Sequence, residues 1–217
     1  MVTVALFCAL AYAAMLIFRI NVSFLTFDVK DAIITICGLT FGPISAVVSS
    51  LLVSVLELVT ISDTGFYGFL MNFISSATFS FVVAIIYKYK KNIIGAVIGI
   101  ITAVFSLTAV MIAFNLFITP LYMGVDRSTV VGMIPTLLLP FNFTKAIFNG
   151  AIVLLLYKPV SVALKATKLI ARSENSQSKE KSKIVVWQSL VSFALGAFMI
   201  ALSIIMLVNL NGKISWF

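Results

Sequence analysis

The chain has 217 residues, of which 62% are hydrophobic and only 10% are charged, and its mean hydropathy is +1.18. Soluble domains contain about 45–50% apolar and about 25% charged residues, so this composition excludes a soluble enzyme, a nucleic-acid-binding domain and a disordered chain. The net charge of +8 does not change this conclusion, because the basic residues cluster in a few inter-helix regions. We therefore predict an all-α integral membrane protein.

The apolar residues fall into runs that predict helices in chain order. Six helices are expected in the first three quarters of the chain, over residues 2–20, 32–41, 44–60, 68–87, 93–118 and 131–158. Residues 21–30 form a polar and aromatic stretch, and Gly42 with Pro43 interrupts two short apolar segments. Such a break is tolerated at membrane depth only where protein or a watery cavity surrounds it.

The C-terminal quarter differs in composition from this core. Residues 166–183 are rich in Lys, Ser, Glu, Asn and Gln, which predicts a solvated basic linker. Residues 184–210 are apolar and long enough to span a bilayer, which predicts one additional transmembrane helix. The expected organisation is therefore a membrane core over residues 1–165, the linker, and a seventh helix.

Basic residues orient this arrangement in the membrane. Ten of them lie in two inter-helix regions and at one helix end: Lys88, Lys90, Lys91, Lys158, Lys165, Lys168, Arg172, Lys179, Lys181 and Lys183. Basic loops remain on the cytoplasmic side of a membrane. The two regions face the same side, since two helices separate them, so we expect the linker and the N-terminus to be cytoplasmic.

The residue inventory does not favour catalysis or metal binding. The chain has no histidine, and Cys8 and Cys37 are far apart and lack the spacing of metal ligands. No GxxxxGK[ST] motif is present, so ATP would have to be bound by a partner. We expect neither a resident cofactor nor a metal.

Three groups of polar residues lie in or beside the predicted helices, toward the outer half. They are Asn142 with Lys145, Asn115 with Thr119 and Tyr122, and Asn72. Ionisable groups inside a membrane segment cost about 2.5–3.5 kcal/mol, so they usually serve a function. Amides and an ammonium suit a hydroxylated or carbonyl-rich small molecule better than a metal.

Each of these residues also has a simpler explanation. A single Asn can form an interhelical hydrogen bond, and Lys145 can extend along the helix to the outer surface. Glu57, near the outer end of its helix, is equally a ligand group or an interfacial side chain. The predicted first helix carries Ala5, Ala9 and Ala13 on one face, which favours close approach of another helix, from a partner or from the same chain.

Four sequence elements resemble the riboflavin-specific substrate-binding (S) subunits of energy-coupling-factor (ECF) vitamin transporters. They are the run FLTFDVKD from Phe24 to Asp31, the pair Gly42–Pro43, the pattern Asn115-x4-Pro120-x-Tyr122, and the run LPFNFTK that ends at Lys145. The resemblance covers residues 4–165. It implies a six-helix vitamin-binding core that holds riboflavin near the outer face, with the seventh helix outside it.

The resemblance also implies functional residues and partners. In the family, the flavin is bound by residues that match Leu25, Thr26, Phe27, Asn115, Asn142 and Lys145. Together with the residues singled out above, the expected ligand-binding set is Leu25, Thr26, Phe27, Asp31, Asn72, Asn115, Thr119, Tyr122, Asn142 and Lys145. A transmembrane coupling subunit, faced by the alanine row, and two ATPases would supply the energy for import.

Other ligands remain as alternatives, as do two other classes of protein: an intramembrane enzyme, and a channel or carrier that works without partner subunits. The S subunit could bind thiamine, a folate or flavin mononucleotide, although Lys145 would repel cationic thiamine. A phosphorylated flavin would prefer a second cation near the site, for which Lys30 and Arg127 are the candidates. An intramembrane enzyme is disfavoured by the absence of histidine and the shortage of intramembrane carboxylates.

Overall fold

The computed structural model describes residues 2–62, 64–166, 193–206, 208 and 214–215. The helices within these residues are α1 Val2–Ile17, α2 Lys30–Phe41, α3 Pro43–Thr60, α4 Gly65–Tyr89, α5 Ile93–Met123, α6 Arg127–Met133, α7 Leu139–Ala166 and α8 Phe193–Met206. A π-helical segment, Ile134–Leu138, joins α6 to α7. Three short strands, β1 Arg19–Val22, β2 Leu25–Asp28 and β3 Ile214–Ser215, complete the described elements.

Four segments of the described chain are long and apolar enough to cross a membrane: α3, α4, α5 and Arg127–Leu156. Large apolar side chains such as Leu51, Ile101 and Phe105 are exposed on the outer faces of these helices. In a bilayer such faces contact lipid, so the exposure is consistent with a multi-pass membrane protein. The apolar composition of these runs therefore correctly predicted an integral membrane protein.

The polar stretch between the first two helices is a β-hairpin, which is a correction to the purely helical prediction. β1 pairs antiparallel with β2, from Arg19 opposite Asp28 to Val22 opposite Leu25. The turn passes through Ser23, whose φ of 56° lies in the left-handed region. β3 pairs with the other edge of β1, so the protein is mostly helical with one small three-stranded sheet.

Several helix ends differ from the prediction, and two of them lie beside the polar residues singled out in the sequence. α1 ends at Ile17 rather than at residue 20, because the following residues are extended in β1. α5 continues through Pro120 to Met123 and is closed by Gly124 at φ 64°, whose N–H donates to the Pro120 carbonyl oxygen at 3.0 Å. The helix therefore continues past Pro120, so Asn115 and Tyr122 lie on the same face of α5.

The break at Gly42 lies within a tightly packed part of the bundle. Gly42 adopts φ 102°, which links α2 to α3, and its N–H donates to the Gly38 carbonyl oxygen at 2.8 Å. A Cβ added to Gly38 would lie 2.8 Å from Ala46 Cβ and 3.1 Å from Ala84 Cβ, so α2, α3 and α4 approach closely there. Almost all of α2 is buried, and it packs against α1, α3, α4 and α7.

The C-terminal helix packs on the core of the bundle. That core lies mainly between α4, α5 and α7, and Leu195 and Met199 of α8 pack against it. At Gly196, an added Cβ would lie 2.9 Å from Leu155 Cγ of α7. The predicted linker at residues 166–183, except for Ala166, lies outside the described residues, as does the part of the predicted seventh helix before Phe193.

Candidate functional site

A partly open cavity lies between the hairpin, α4, α5 and α7, and the space within it, including its open mouth, is about 610 Å³. Seven of the ten residues expected to bind a ligand line it: Leu25, Thr26, Asn72, Asn115, Tyr122, Asn142 and Lys145. The fold thus brings together residues that are far apart in the sequence.

The other three expected residues lie behind the cavity wall. Phe27 packs against Phe141 and Phe148, with ring centroids 6.2 and 5.1 Å apart. The Thr119 hydroxyl donates to Asn115 Oδ1 at 2.8 Å, and Asp31 Oδ1 accepts a hydrogen bond from the Ser76 hydroxyl at 2.5 Å. In this structure these side chains support the cavity from outside its lining.

Several lining residues were not predicted from the sequence, including Phe24, Tyr67, Gly68, Ser75 and Met111. Gly68 and Ser75 lie four residues before and three residues after Asn72, and therefore share its helical face. Including the residues three or four positions away from Asn72 on its helix would have identified this part of the lining. Phe24 gave no such signal, because it belongs to a turn whose hairpin was not predicted.

The two buried asparagines each bind their own helix. Asn115 Nδ2 donates to the Met111 carbonyl oxygen at 2.7 Å, and Asn142 Nδ2 donates to the Leu138 carbonyl oxygen at 2.7 Å. These bonds lie within helices, so neither is the interhelical bond that was the simpler explanation. They also fix the orientation of the two amides, whose residues both line the cavity.

Lys145 is buried and bound to the hairpin. Its ammonium donates to the Thr26 carbonyl oxygen at 3.1 Å and to Asp28 Oδ2 at 2.9 Å, and the side chain is only 5% exposed. The alternative of extending to the outer surface is therefore wrong. An ammonium has three N–H donors, of which two are used on the hairpin, and the Asp31 carboxylate lies 4.0 Å from the same nitrogen.

Lys145 belongs to a buried charge network of five residues: Asp28, Lys30, Asp31, Glu57 and Lys145. The Lys30 ammonium lies 2.5 and 2.7 Å from the two carboxylate oxygens of Glu57. The pKa of Asp28, on the hairpin, is lowered: burial alone would raise it, but the positive charges of Lys145 and Lys30 outweigh that effect. Glu57 is thus neither an exposed interfacial side chain nor an unpaired ligand group.

Asn149 connects α7 to the segment that joins the hairpin to α2. Its amide nitrogen donates to the Asp28 carbonyl oxygen at 2.9 Å, and its amide oxygen accepts from the Ala32 N–H at 2.9 Å. Together with Lys145, Asn149 therefore attaches the end of β2 and the start of α2 to one helix. The hairpin side of the cavity is held by buried, specific contacts.

The alanine row on α1 faces away from the rest of the described chain. Ala5, Ala9 and Ala13 are exposed, whereas Phe7 and Ala11 on the other side of the helix are buried. Within the described residues, the row is therefore not used for packing inside the chain.

Comparisons with known proteins agree with this arrangement. The family model described as "ECF transporter, substrate-specific component" matches residues 1–161. The riboflavin transporter RibU of Staphylococcus aureus (strain TCH60) is 28% identical over 149 residues, which cover 65% of this chain and 78% of that protein. A solved structure of the S component of a bacterial ECF transporter matches 76% of this chain and 96% of its own, with 27% identity and a TM-score of 0.64. The chain therefore belongs to the family of ECF transporter substrate-specific components, and it is a transport protein rather than an enzyme.

Proposed function

We propose that the protein binds riboflavin at the outer face of the cell membrane and delivers it inward as the S component of an ATP-driven ECF importer. The observation that carries this proposal is the cavity in which Lys145, Asn142 and Asn115 meet the hairpin. The relative that is named as a riboflavin transporter supports the same ligand.

The cavity wall matches the two chemical parts of riboflavin. Aromatic residues line it, and Tyr122 lies near Phe24 and Tyr67, with ring centroids 6.0 and 6.4 Å apart. Aromatic faces suit a planar isoalloxazine ring, which gains affinity by leaving water. The oriented amides and the ammonium would hydrogen-bond ring carbonyls or ribityl hydroxyls and so provide specificity.

The same proposal includes the partners and the topology. Residues 1–165 would form the six-helix vitamin-binding core, and residues 184–210 would add one transmembrane helix. The N-terminus and the linker at 166–183 would be cytoplasmic. The exposed alanine row, Ala5, Ala9 and Ala13, would contact the transmembrane coupling subunit, which in turn binds two ATPases.

A different vitamin is the main alternative within the same family. Lys145 is ion-paired with Asp28 at 2.9 Å and has Asp31 at 4.0 Å, so its charge is offset and does not by itself exclude cationic thiamine. A folate or flavin mononucleotide is not disfavoured by that charge. Competition of each compound against riboflavin distinguishes these ligands.

Fluorescence titration of the detergent-purified protein with riboflavin tests the proposal, since a flavin bound among aromatic rings loses emission. We expect Asn142→Ala and Lys145→Ala each to raise Kd at least about tenfold, because a lost hydrogen bond to a buried partner costs about 1–3 kcal/mol. Thr102→Ala is a matched control, since Thr102 is exposed on α5 and bonds only its own helix. Unchanged affinity in both cavity variants would reject the site, and absence of any riboflavin binding would reject the ligand.

A further inference from the structure

We propose that the C-terminal strand β3 is a positioning element for the ligand-binding hairpin, and that it slows the release of bound flavin. The inference rests on the proposed function, since it concerns how the same cavity retains its ligand. It goes further by giving a role to α8 and β3, which lie outside residues 1–161, the region that the family model matches.

β1 is the central strand of the small sheet and lies between β2 and β3. On one side of it, β2 supplies residues of the cavity wall, among them Thr26. On the other side, Asn21 lies opposite Ser215, and Val22 lies opposite Ile214. The edge of a strand presents a row of unpaired N–H and C=O groups. β3 covers that edge of β1 at the two residues just before the turn of the hairpin.

α8 runs antiparallel to α7 and toward the hairpin. Gly196 of α8 lies against Leu155 of α7. Met199, about one turn later in α8, lies beside Gly150, which comes earlier in α7. A forward step along α8 therefore corresponds to a backward step along α7, so α8 advances toward the residues that begin α7.

This direction brings the end of α8 to the level of the hairpin. Phe141, near the start of α7, packs edge-on against Phe27 of β2, with ring centroids 6.2 Å apart. At about 1.5 Å per residue, the nine residues from Gly150 back to Phe141 rise about 13.5 Å. The seven residues from Met199 to Met206 rise about 10.5 Å. α8 therefore ends within one helical turn of the level of Phe141, and β3 pairs with β1 where α8 directs the chain.

Both strands of the hairpin are thereby attached to α7, but by different routes. β2 is attached directly, because the Lys145 ammonium donates to the Thr26 carbonyl oxygen at 3.1 Å and to Asp28 Oδ2 at 2.9 Å. β1 gains a backbone attachment through β3 and α8, which packs on α7. Since hairpin residues form part of the cavity wall, outward movement of the hairpin opens the cavity. Each attachment that resists this movement slows the release of the ligand.

The test measures the rate at which riboflavin dissociates from the full chain in detergent, by recovery of flavin emission after a large dilution. Ile214→Pro/Ser215→Pro removes the backbone donors of β3, and Ile214→Val/Ser215→Thr is the matched control that keeps them. We expect the proline variant to dissociate about three- to tenfold faster, as follows from losing one or two backbone hydrogen bonds, and the control to match the wild type. A chain that ends at Val208, which keeps α8, should behave as the proline variant does.

Amide hydrogen exchange without ligand tests the pairing independently of riboflavin. In the proline variant, the amides of Asn21 and Val22 should exchange faster than in the wild type, because one edge of β1 loses its partner. The amides of α7 should keep their wild-type rates, since its helical hydrogen bonds do not involve β3. Faster exchange throughout α7 would show general destabilisation and would overturn the positioning role.

A disulfide between β1 and β3 should have the opposite effect. Paired Cα atoms in an antiparallel sheet lie about 4.5–5.5 Å apart, which is within the range of about 4.4–6.8 Å for a disulfide. Asn21→Cys/Ser215→Cys should therefore cross-link on oxidation, while the natural Cys8 and Cys37 are buried. The oxidised variant should release riboflavin about threefold or more slowly than the same variant after reduction.

Unchanged dissociation in the proline variant, together with faster exchange in β1, would show that β3 pairs with the hairpin without retaining the ligand. That result would overturn the inference. It is also overturned if β1 exchanges at the wild-type rate in the proline variant and the cross-link does not form. If riboflavin does not bind at all, the proposed function fails and the retention of flavin fails with it, whereas exchange and cross-linking decide separately whether β3 positions the hairpin.

Discussion

Replacing Lys30 with methionine should be among the most destabilising single substitutions in this protein. The Lys30 side chain is 1% exposed, and its ammonium contacts both oxygens of Glu57 and lies 3.7 Å from Asp28 Oδ2. Lys30→Met would leave Glu57 buried without its partner and would remove one of the two cations near Asp28. Methionine has a similar length, so the effect would come from charge rather than from a void.

The expected size follows from the burial of this pair. Removing one partner of a buried ion pair costs about 3–5 kcal/mol, because the other charge stays buried and uncompensated. For a chain of about 150–250 residues, 1 kcal/mol corresponds to about 2–4 °C in Tm, so Lys30→Met should lower Tm by about 6–20 °C. The double variant Lys30→Met/Glu57→Gln removes both charges and should recover roughly half of that loss or more.

Thermal unfolding in detergent measures this effect, for example as the fraction of monodisperse protein that remains after heating. Lys88→Met is the matched control, since Lys88 is exposed in the last turn of α4 and should change Tm by no more than about 2 °C. The reasoning is refuted if Lys30→Met shifts Tm as little as the control does. It is also refuted if the double variant is less stable than Lys30→Met alone.

Three further predictions concern the hairpin and the partner surface. Asn149→Ala should lower stability by about 1–3 kcal/mol and accelerate amide exchange in β2, measured by hydrogen exchange, because Asp28 and Ala32 lose their bonds to α7. The lowered pKa of Asp28 means that its stabilising contribution is complete above its unfolded pKa of about 3.9 and is lost as pH falls through the lower folded value. Tm below about pH 4 should therefore fall more steeply for the wild type than for Asp28→Asn, and parallel curves would contradict this. Ala9→Trp should leave riboflavin Kd unchanged but reduce co-purification with the coupling subunit, since Ala9 is exposed on α1; intact co-purification would remove Ala9 from that interface.

The transmembrane helices were predictable because length and apolar composition alone determine them. The observed α3 begins at Pro43 and α4 begins at Gly65, within three residues of the prediction, since Gly and Pro mark these ends. The hairpin was not predictable in the same way. Its strands have four residues each, too few to show an alternating pattern against an aromatic-rich background.

The candidate site was predictable only in part, for a related reason. Asn142 and Lys145 stand out because polar groups are rare in apolar helices. Their partners do not stand out, since the contact of Lys145 with Asp28 spans 117 residues and no local spacing encodes it. Glu57 illustrates the same point, because its environment depends on Lys30 in another helix.

The buried charge network also constrains the order in which the protein can be assembled during synthesis. Lys30 and Glu57 are 27 residues apart, so they can neutralise each other as soon as α3 has been made. Asp28 has Lys30 at 3.7 Å, but its hydrogen-bonded ion pair, at 2.9 Å, is with Lys145, which is translated 117 residues later. A lone charge costs about 2.5–3.5 kcal/mol inside a bilayer, so the hairpin gains its full attachment only after α7 has inserted. α7 is the last helix to begin within residues 1–161, the region that the family model matches. It is therefore synthesised after the hairpin, and its Lys145 then completes the cavity wall by binding Thr26.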